Sequence, residues 1–229
     1  MTIADRIQTI LKTLQVHSDA QLLEGMARFG IKTIKAYGVS VPVLRKLACE
    51  IGKDHELAQK LWDTKVHEAR LLATMVAEAD KFTNKELERW LKGLDSWDVC
   101  DQACLNVFWK MPDVYNKALL WSSRDEEFIR RAGFALMAVL AVKDKEASDE
   151  KFIPFLRAVL LHADDDRNFV KKAVNWALRQ VGKRNALLHS RAVSVARELK
   201  SAVEKPTRWI GADAMRELQS DAVKQRLNI

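Results

Sequence analysis

Along almost the whole chain, apolar residues return every three or four positions, the period that gathers them on one stripe of an α-helix. This pattern predicts helices over residues 3–16, 19–29, 42–51, 55–62, 67–79, 84–93, 97–110, 112–121, 125–142, 149–162, 167–182, 186–200 and 204–218. No apolar–polar alternation bounded by turn residues occurs, so no strand is expected. With 8 Gly and 4 Pro in 229 residues, the chain suits helices joined by short turns. Pro42, after Ser40, and Pro112, after Met111, stand where first-turn prolines do.

A loose repeat runs through the pattern. The segments HEARLLATMVA, DQACLNVFW, RRAGFALMAVL and KKAVNWALRQV each begin polar, carry a small residue and continue into an apolar run. Their matching alanines, Ala69, Ala103, Ala132 and Ala173, lie 34, 29 and 41 residues apart. Units of this length, each followed by a second helix, stack into a solenoid whose concave side is an extended binding surface. The expected fold is therefore all-α: an α-solenoid of about six stacked helix pairs with a concave basic face. A single domain over residues 1–229 is expected.

Composition narrows the class. Apolar residues make up 48% and charged residues 30%, a globular balance. No apolar run approaches the length of a membrane span, and the N-terminal MTIADRIQTILKTLQ mixes charges into its apolar positions, unlike a signal peptide. Three cysteines cannot all pair within the chain, so reduced thiols in a cytoplasm are expected. Charge says more through its placement than its size. Residues 171–200 hold eight Lys or Arg and one acid, Glu198, which equals the +7 excess of the whole chain. Such confinement marks a nucleic-acid-binding face, with Lys171, Lys172, Arg179, Lys183 and Arg184 as candidates, or else a solvated helical surface.

The stretch LDSWDVCDQAC, residues 94–104, poses the sharpest question. Ser96 is a suitable N-cap and Asp98 falls in the first turn, where the helix dipole favours an acid. Asp101 has no such explanation. On a helical projection it lies about 40° from Trp97, between Phe108 and Leu105, off the polar face. A carboxylate there needs a partner or a task, so it is either half of a buried salt bridge or functional. Trp176 is the complementary case. It lies opposite the stripe Val170, Val174, Ala177, Leu178 and Val181, among Lys172, Arg179, Gln180 and Lys183. It either packs against another helical layer or joins those cations in gripping a nucleic-acid backbone. Arg131 shares a stripe with Ala135 and Ala138, which leaves it free to reach a phosphate or to pair with Glu127 one turn back.

Other features read as silent. Cys100 and Cys104 fall on the core side with no third soft ligand near them, and HEARL at His67 lacks the second histidine of a zinc-binding helix. There is no Gly-rich phosphate loop and no nucleophilic Ser or Cys motif. Neither a metal nor a nucleotide cofactor is expected.

The segments SWDVCD, IRRAGFALM and VKKAVNWALRQVGKRN resemble the AlkD-type DNA glycosylases of the DNA alkylation repair family, which are built from HEAT-like helical repeats. The similarity runs from about AYGVSVPVLRKLA, near residue 36, to the basic helices near residue 200. By that resemblance Trp97 and Asp101 match the family's tryptophan and aspartate four residues apart, and Trp176 its second active-site tryptophan. The family's arginine matches Arg131, with Arg130 as the alternative register. Where better-known members read Trp-Trp-Asp, this chain has Ser96-Trp97-Asp98. The resemblance implies hydrolysis of the N-glycosidic bond of alkylated, cationic purines such as 3-methyladenine and 7-methylguanine in duplex DNA. It also implies backbone capture without a base pocket, and a monomer that does not cleave the strand. The rival readings are a non-catalytic helical scaffold for DNA structures or a protein partner, and an RNA-binding repeat protein. The scaffold has no use for Asp101, and the RNA reader would need equal repeats.

Overall fold

The computed structural model describes residues 2–31 and 35–229. Among them lie fourteen α-helices and three short 3-10 turns, with no strand. The protein is all-α, as its hydrophobic period requires. Two compact units divide the chain, residues 1–112 and 113–229.

The first unit contains α1 (Ile3–Val16), α2 (Ala20–Arg28), α3 (Val41–Ile51), α4 (His55–Asp63), α5 (His67–Val76), α6 (Asn84–Lys92) and α7 (Trp97–Asn106). Polar side chains fix several starts. Thr2 with Asp5 and Thr83 with Glu86 form reciprocal capping boxes at α1 and α6. Asp19 and Asp54 accept from first-turn amides of α2 and α4. Trp62 of α4 and Trp90 of α6 stack with centroids 4.1 Å apart in the core.

The second unit contains α8 (Val114–Ser122), α9 (Glu127–Lys143), α10 (Ile153–Leu161), α11 (Asn168–Gly182), α12 (Ala186–Lys200), α13 (Lys205–Leu218) and α14 (Asp221–Leu227). Two glycines allow the closest helix contacts. A Cβ on Gly133 of α9 would collide with the backbone of Ser122 in α8, and one on Gly211 of α13 with the backbone of Lys200.

Contacts between α11 and α13 have one register. Lys171 meets Trp209, Asn175 meets Asp213 and Arg179 meets Glu217, each pair 38 residues apart in sequence and each step one helical turn. A constant offset over two turns means parallel, in-register neighbours. The repeat seen in the sequence therefore extends one unit further than its alanines indicate.

Four local expectations are corrected. The helix expected over residues 97–110 breaks at Val107 (φ −125°, ψ −62°) and resumes as a 3-10 turn at Phe108–Lys110. Val107 and Phe108 are both fully buried, and the break turns two adjacent side chains into one core. Pro112 precedes α8 rather than entering it, because Asp113 at φ 55° is the N-cap. Pro42, by contrast, does occupy the first turn of α3. The helix expected from residue 149 starts at Ile153, where Pro154 fits the first turn. Finally, α14 went unpredicted because Val223 is its one buried side chain, which leaves no stripe to read.

Candidate nucleic-acid interface

Trp97 and Asp101 stand one turn apart on α7, both half-buried. The fully buried line of that helix is Val99, Cys100, Ala103 and Cys104, and Trp97 and Asp101 lie off it. Cys100 and Cys104 are free thiols inside the core, as packing residues should be. The indole of Trp97 is fixed by its Nε1–H, which donates to the carbonyl of Phe29 at the end of α2, at 3.1 Å. Asp101 owes its position to a different geometry from the expected one. Phe108, counted as its neighbour on the projection, belongs to the 3-10 turn beyond the break. Asp101 as a residue is part-exposed, one turn from Trp97.

Asp98, part-buried on the same helix, pairs with a histidine of α5. Its Oδ2 lies 2.7 Å from Nε2 of His67, whose side chain is 2% exposed at the start of α5. Burial alone would push the Asp98 carboxyl up, but the hydrogen bond and charge of His67 outweigh it and hold the group below the usual carboxylate range. Asp98 does stand in the first turn, as expected, and it also ties α7 to α5. Ser96 occupies the N-cap but makes no side-chain cap hydrogen bond. His67, read as silent, is the residue that sequence reasoning missed. Its partner lies 31 residues away, one repeat on.

In the second unit, Arg131 and Trp176 lie on the packed helices α9 and α11. Arg131 is 6% exposed, and its Nη1 donates to the Phe169 carbonyl in the first turn of α11, at 2.6 Å. It does not stand out from the helix as its small neighbours suggested. Arg130 is engaged elsewhere. It donates to the Arg124 carbonyl at 2.7 Å, to Asp165 at 2.8 Å and to Asp125 at 3.1 Å. Asp165 also holds Arg167, and these cations keep its carboxyl below the usual range against its burial.

Trp176 is half-buried on the face opposite Val170, Val174, Leu178 and Val181, which are all fully buried. With the Gln180 amide oriented to satisfy its neighbours, its oxygen accepts from Trp176 Nε1 at 3.2 Å and from Lys183 Nζ at 3.3 Å. The ring is thus fixed by the residue one turn on.

The cations expected to face a nucleic acid divide into two groups. Lys172 is exposed, and Lys171 places its Nζ 5.1 Å from the ring centroid of Trp209 on α13. Arg179 and Lys183, however, both pair with Glu217 of α13, and Arg179 lies 3.8 Å from Asp213. Arg184 donates to the carbonyls of Ala141, Lys145 and Ala147 and lies over the Phe152 ring. The +7 excess of residues 171–200 is therefore not all presented. Acids of α13, just beyond that window, neutralise part of it, and Arg184 closes the loop after α9.

Among the described residues, no cluster of His, Cys, Asp or Glu could hold a metal ion. None of the described helices is long and apolar enough to cross a membrane.

No curated protein matches the chain. Of the solved structures, one described as "a new family of proteins related to the HEAT-like repeat DNA glycosylases with affinity for branched DNA structures" superposes with a TM-score of 0.81. It is 20% identical, and the match covers 97% of this chain and 96% of that one. At this identity the likeness carries the fold, which is of the HEAT-like repeat kind. Residues 10–218 match the family described as DNA alkylation repair enzyme. With nearly its whole length matched, the chain belongs to the DNA alkylation repair enzyme family.

Proposed function

We propose that the protein is a monofunctional glycosylase that releases alkylated, cationic purines from duplex DNA. The observation that carries this reading is the placement of Asp101 on α7, part-exposed one turn from Trp97, whose ring is held in place by the Phe29 carbonyl.

The chemistry needs little else. In a cationic purine the glycosidic bond breaks with its electron pair moving to the base nitrogen, which neutralises the leaving group. Positive charge then develops on the deoxyribose, as in glycoside hydrolysis. The Asp101 carboxylate stabilises that charge and orients a water onto C1′; the water's proton passes to Asp101 and then to solvent. Trp97 offers a face for the sugar and for cation–π attraction to the lesion, and the resemblance implies the same role for Trp176. Both arginines that the resemblance offers as a phosphate clamp also serve the fold: Arg131, 6% exposed, donates to the Phe169 carbonyl, and Arg130 to Arg124, Asp125 and Asp165. The enzyme acts as a monomer on DNA in the cytoplasm, with no cofactor.

A second reading is favoured by the description of the structural relative: a non-catalytic protein that binds branched DNA. One assay separates the two. Purified protein is incubated with methylated duplex DNA, and free 3-methyladenine and 7-methylguanine are measured in single turnover. Base release that Asp101→Asn removes supports the glycosylase. Tight binding to branched DNA with no release by the wild type supports the second reading.

A further inference from the structure

Trp209 on α13 is 41% exposed, while Ile210, Gly211 and Ala214 on the same helix are buried. On a helical projection it lies about opposite that buried line, and Lys205 and Arg216 fall within about 40° of it. Both cations are exposed. The Lys171 ammonium, held 5.1 Å from the ring centroid, adds a third. Packing does not explain a tryptophan in this place, because most of a core tryptophan's surface would be covered. Nor is it a scattered surface aromatic, because cations surround it at helical spacing.

We propose that Trp209 and Lys171, with Lys205, form a second nucleotide grip on one strand of bound DNA. The chemistry of the pair fits one nucleotide. The indole offers an apolar surface for a deoxyribose or base, and the adjacent ammonium offers a charge for its phosphate. Asp213, the nearest acid on this face, takes Arg216 in an ion pair and accepts from Asn175 at 2.6 Å, so the charge the patch presents is that of Lys171 and Lys205. The same in-register packing of α11 and α13 that neutralises Arg179 leaves Lys171 opposite an aromatic ring rather than an acid. Trp176 faces away from the core of α11 as Trp209 does from that of α13, so each of the two helices carries one such ring. This grip rests on the reading of the protein as a DNA binder, and it assigns to that binding a residue distinct from the proposed catalytic set.

The test is a titration of unmodified duplex DNA against wild type, Trp209→Ala, Trp209→Phe, Lys171→Gln and Lys205→Gln over a range of salt. Thermal melting and sedimentation of the free proteins accompany it. Trp209→Ala should weaken binding roughly tenfold with an unchanged salt slope, and Trp209→Phe should restore most of the loss. Each lysine variant should lower the salt slope by about 1. Equal affinity of wild type and Trp209→Ala overturns the grip while leaving the glycosylase reading intact. A wild type that binds no DNA even at low salt overturns both. If Trp209→Ala abolishes self-association of the free protein and leaves DNA affinity unchanged, the surface is a protein contact and the grip is overturned.

Discussion

Helices α7 and α11 handle charge in the same way with opposite signs. On α7 the acid on one flank, Asp98, is tied by a hydrogen bond to His67 on the preceding repeat, while Asp101 stands part-exposed one turn from Trp97. On α11 the cations on one flank, Arg179 and Lys183, are neutralised by Glu217 on the following repeat, while Lys172 stays exposed near Trp176. Each helix thus uses some of its charges to hold its neighbour and presents others beside a fixed indole. Charge alone does not distinguish the two kinds. Register with the next helix does, and that register spans 31 to 38 residues.

The largest effect should come from breaking the difference between the two acids of α7. Asp101→Asn keeps the shape and removes the charge that would stabilise a cationic sugar, so base release should fall by about 10²-fold or more. DNA affinity should hold or rise slightly, because a negative charge has left a surface that meets phosphates. Single-turnover release of 7-methylguanine measures the first, and a binding titration the second. Wild-type release by Asp101→Asn would return this residue to a structural role.

Asp98 should respond in the opposite sense. Asp98→Ala leaves His67 buried without its partner, which costs about 3 kcal/mol of stability, with base release per folded molecule retained. The pair also predicts a pH dependence. Because the folded carboxyl lies below its ordinary range, its contribution is complete above the unfolded value of about 3.9 and is lost as pH falls through the folded value beneath it. Denaturant unfolding across an acid series should therefore show a shallower acid limb for Asp98→Asn than for the wild type.

On α11 the corresponding substitution is Trp176→Ala. Its ring is half-buried and held through Gln180, so capture of damaged DNA should weaken roughly tenfold. The melting temperature should change little by comparison. A stability loss of about 3–5 kcal/mol, as for a core tryptophan, would mean that the ring is structural.

These contrasts also mark how far the sequence could be read. Helix existence was legible almost throughout, because period and caps are local: α1 ends where the pattern ends, and Pro42 stands in the first turn of α3. Failures came where the cause was not local. The break at Val107 answers to two buried neighbours, and it takes Phe108 off the helical projection that placed it next to Asp101. His67 looked idle because its partner lies a repeat away, and Arg184 looked available because its carbonyl partners carry no signature in sequence. Trp209, by contrast, was within reach. The reasoning applied to Trp176, an indole among cations at helical spacing, fits Lys205, Trp209 and Arg216 equally well.

The smallest expected effect probes the neutralised flank of α11. Glu217 carries two cations at once, Arg179 and Lys183, and both hold its carboxyl below its ordinary range although burial pulls the other way. Glu217→Gln keeps a hydrogen-bonding side chain of the same length but cancels no charge. All three partners are part-exposed, so the stability cost should be modest, about 1 kcal/mol or less. Removing that one negative charge leaves Arg179 and Lys183 more available to phosphates, with Asp213 still 3.8 Å from Arg179. Affinity for unmodified duplex DNA should rise a few-fold at low salt, and the salt slope should steepen by up to about 2. Base release at saturating protein should stay constant, since Glu217 takes no part in the proposed chemistry. Unchanged affinity and slope would mean that the α13 flank of α11 lies outside the DNA footprint, and would restrict the basic contacts of this unit to the side of Trp176, Lys172 and Lys171.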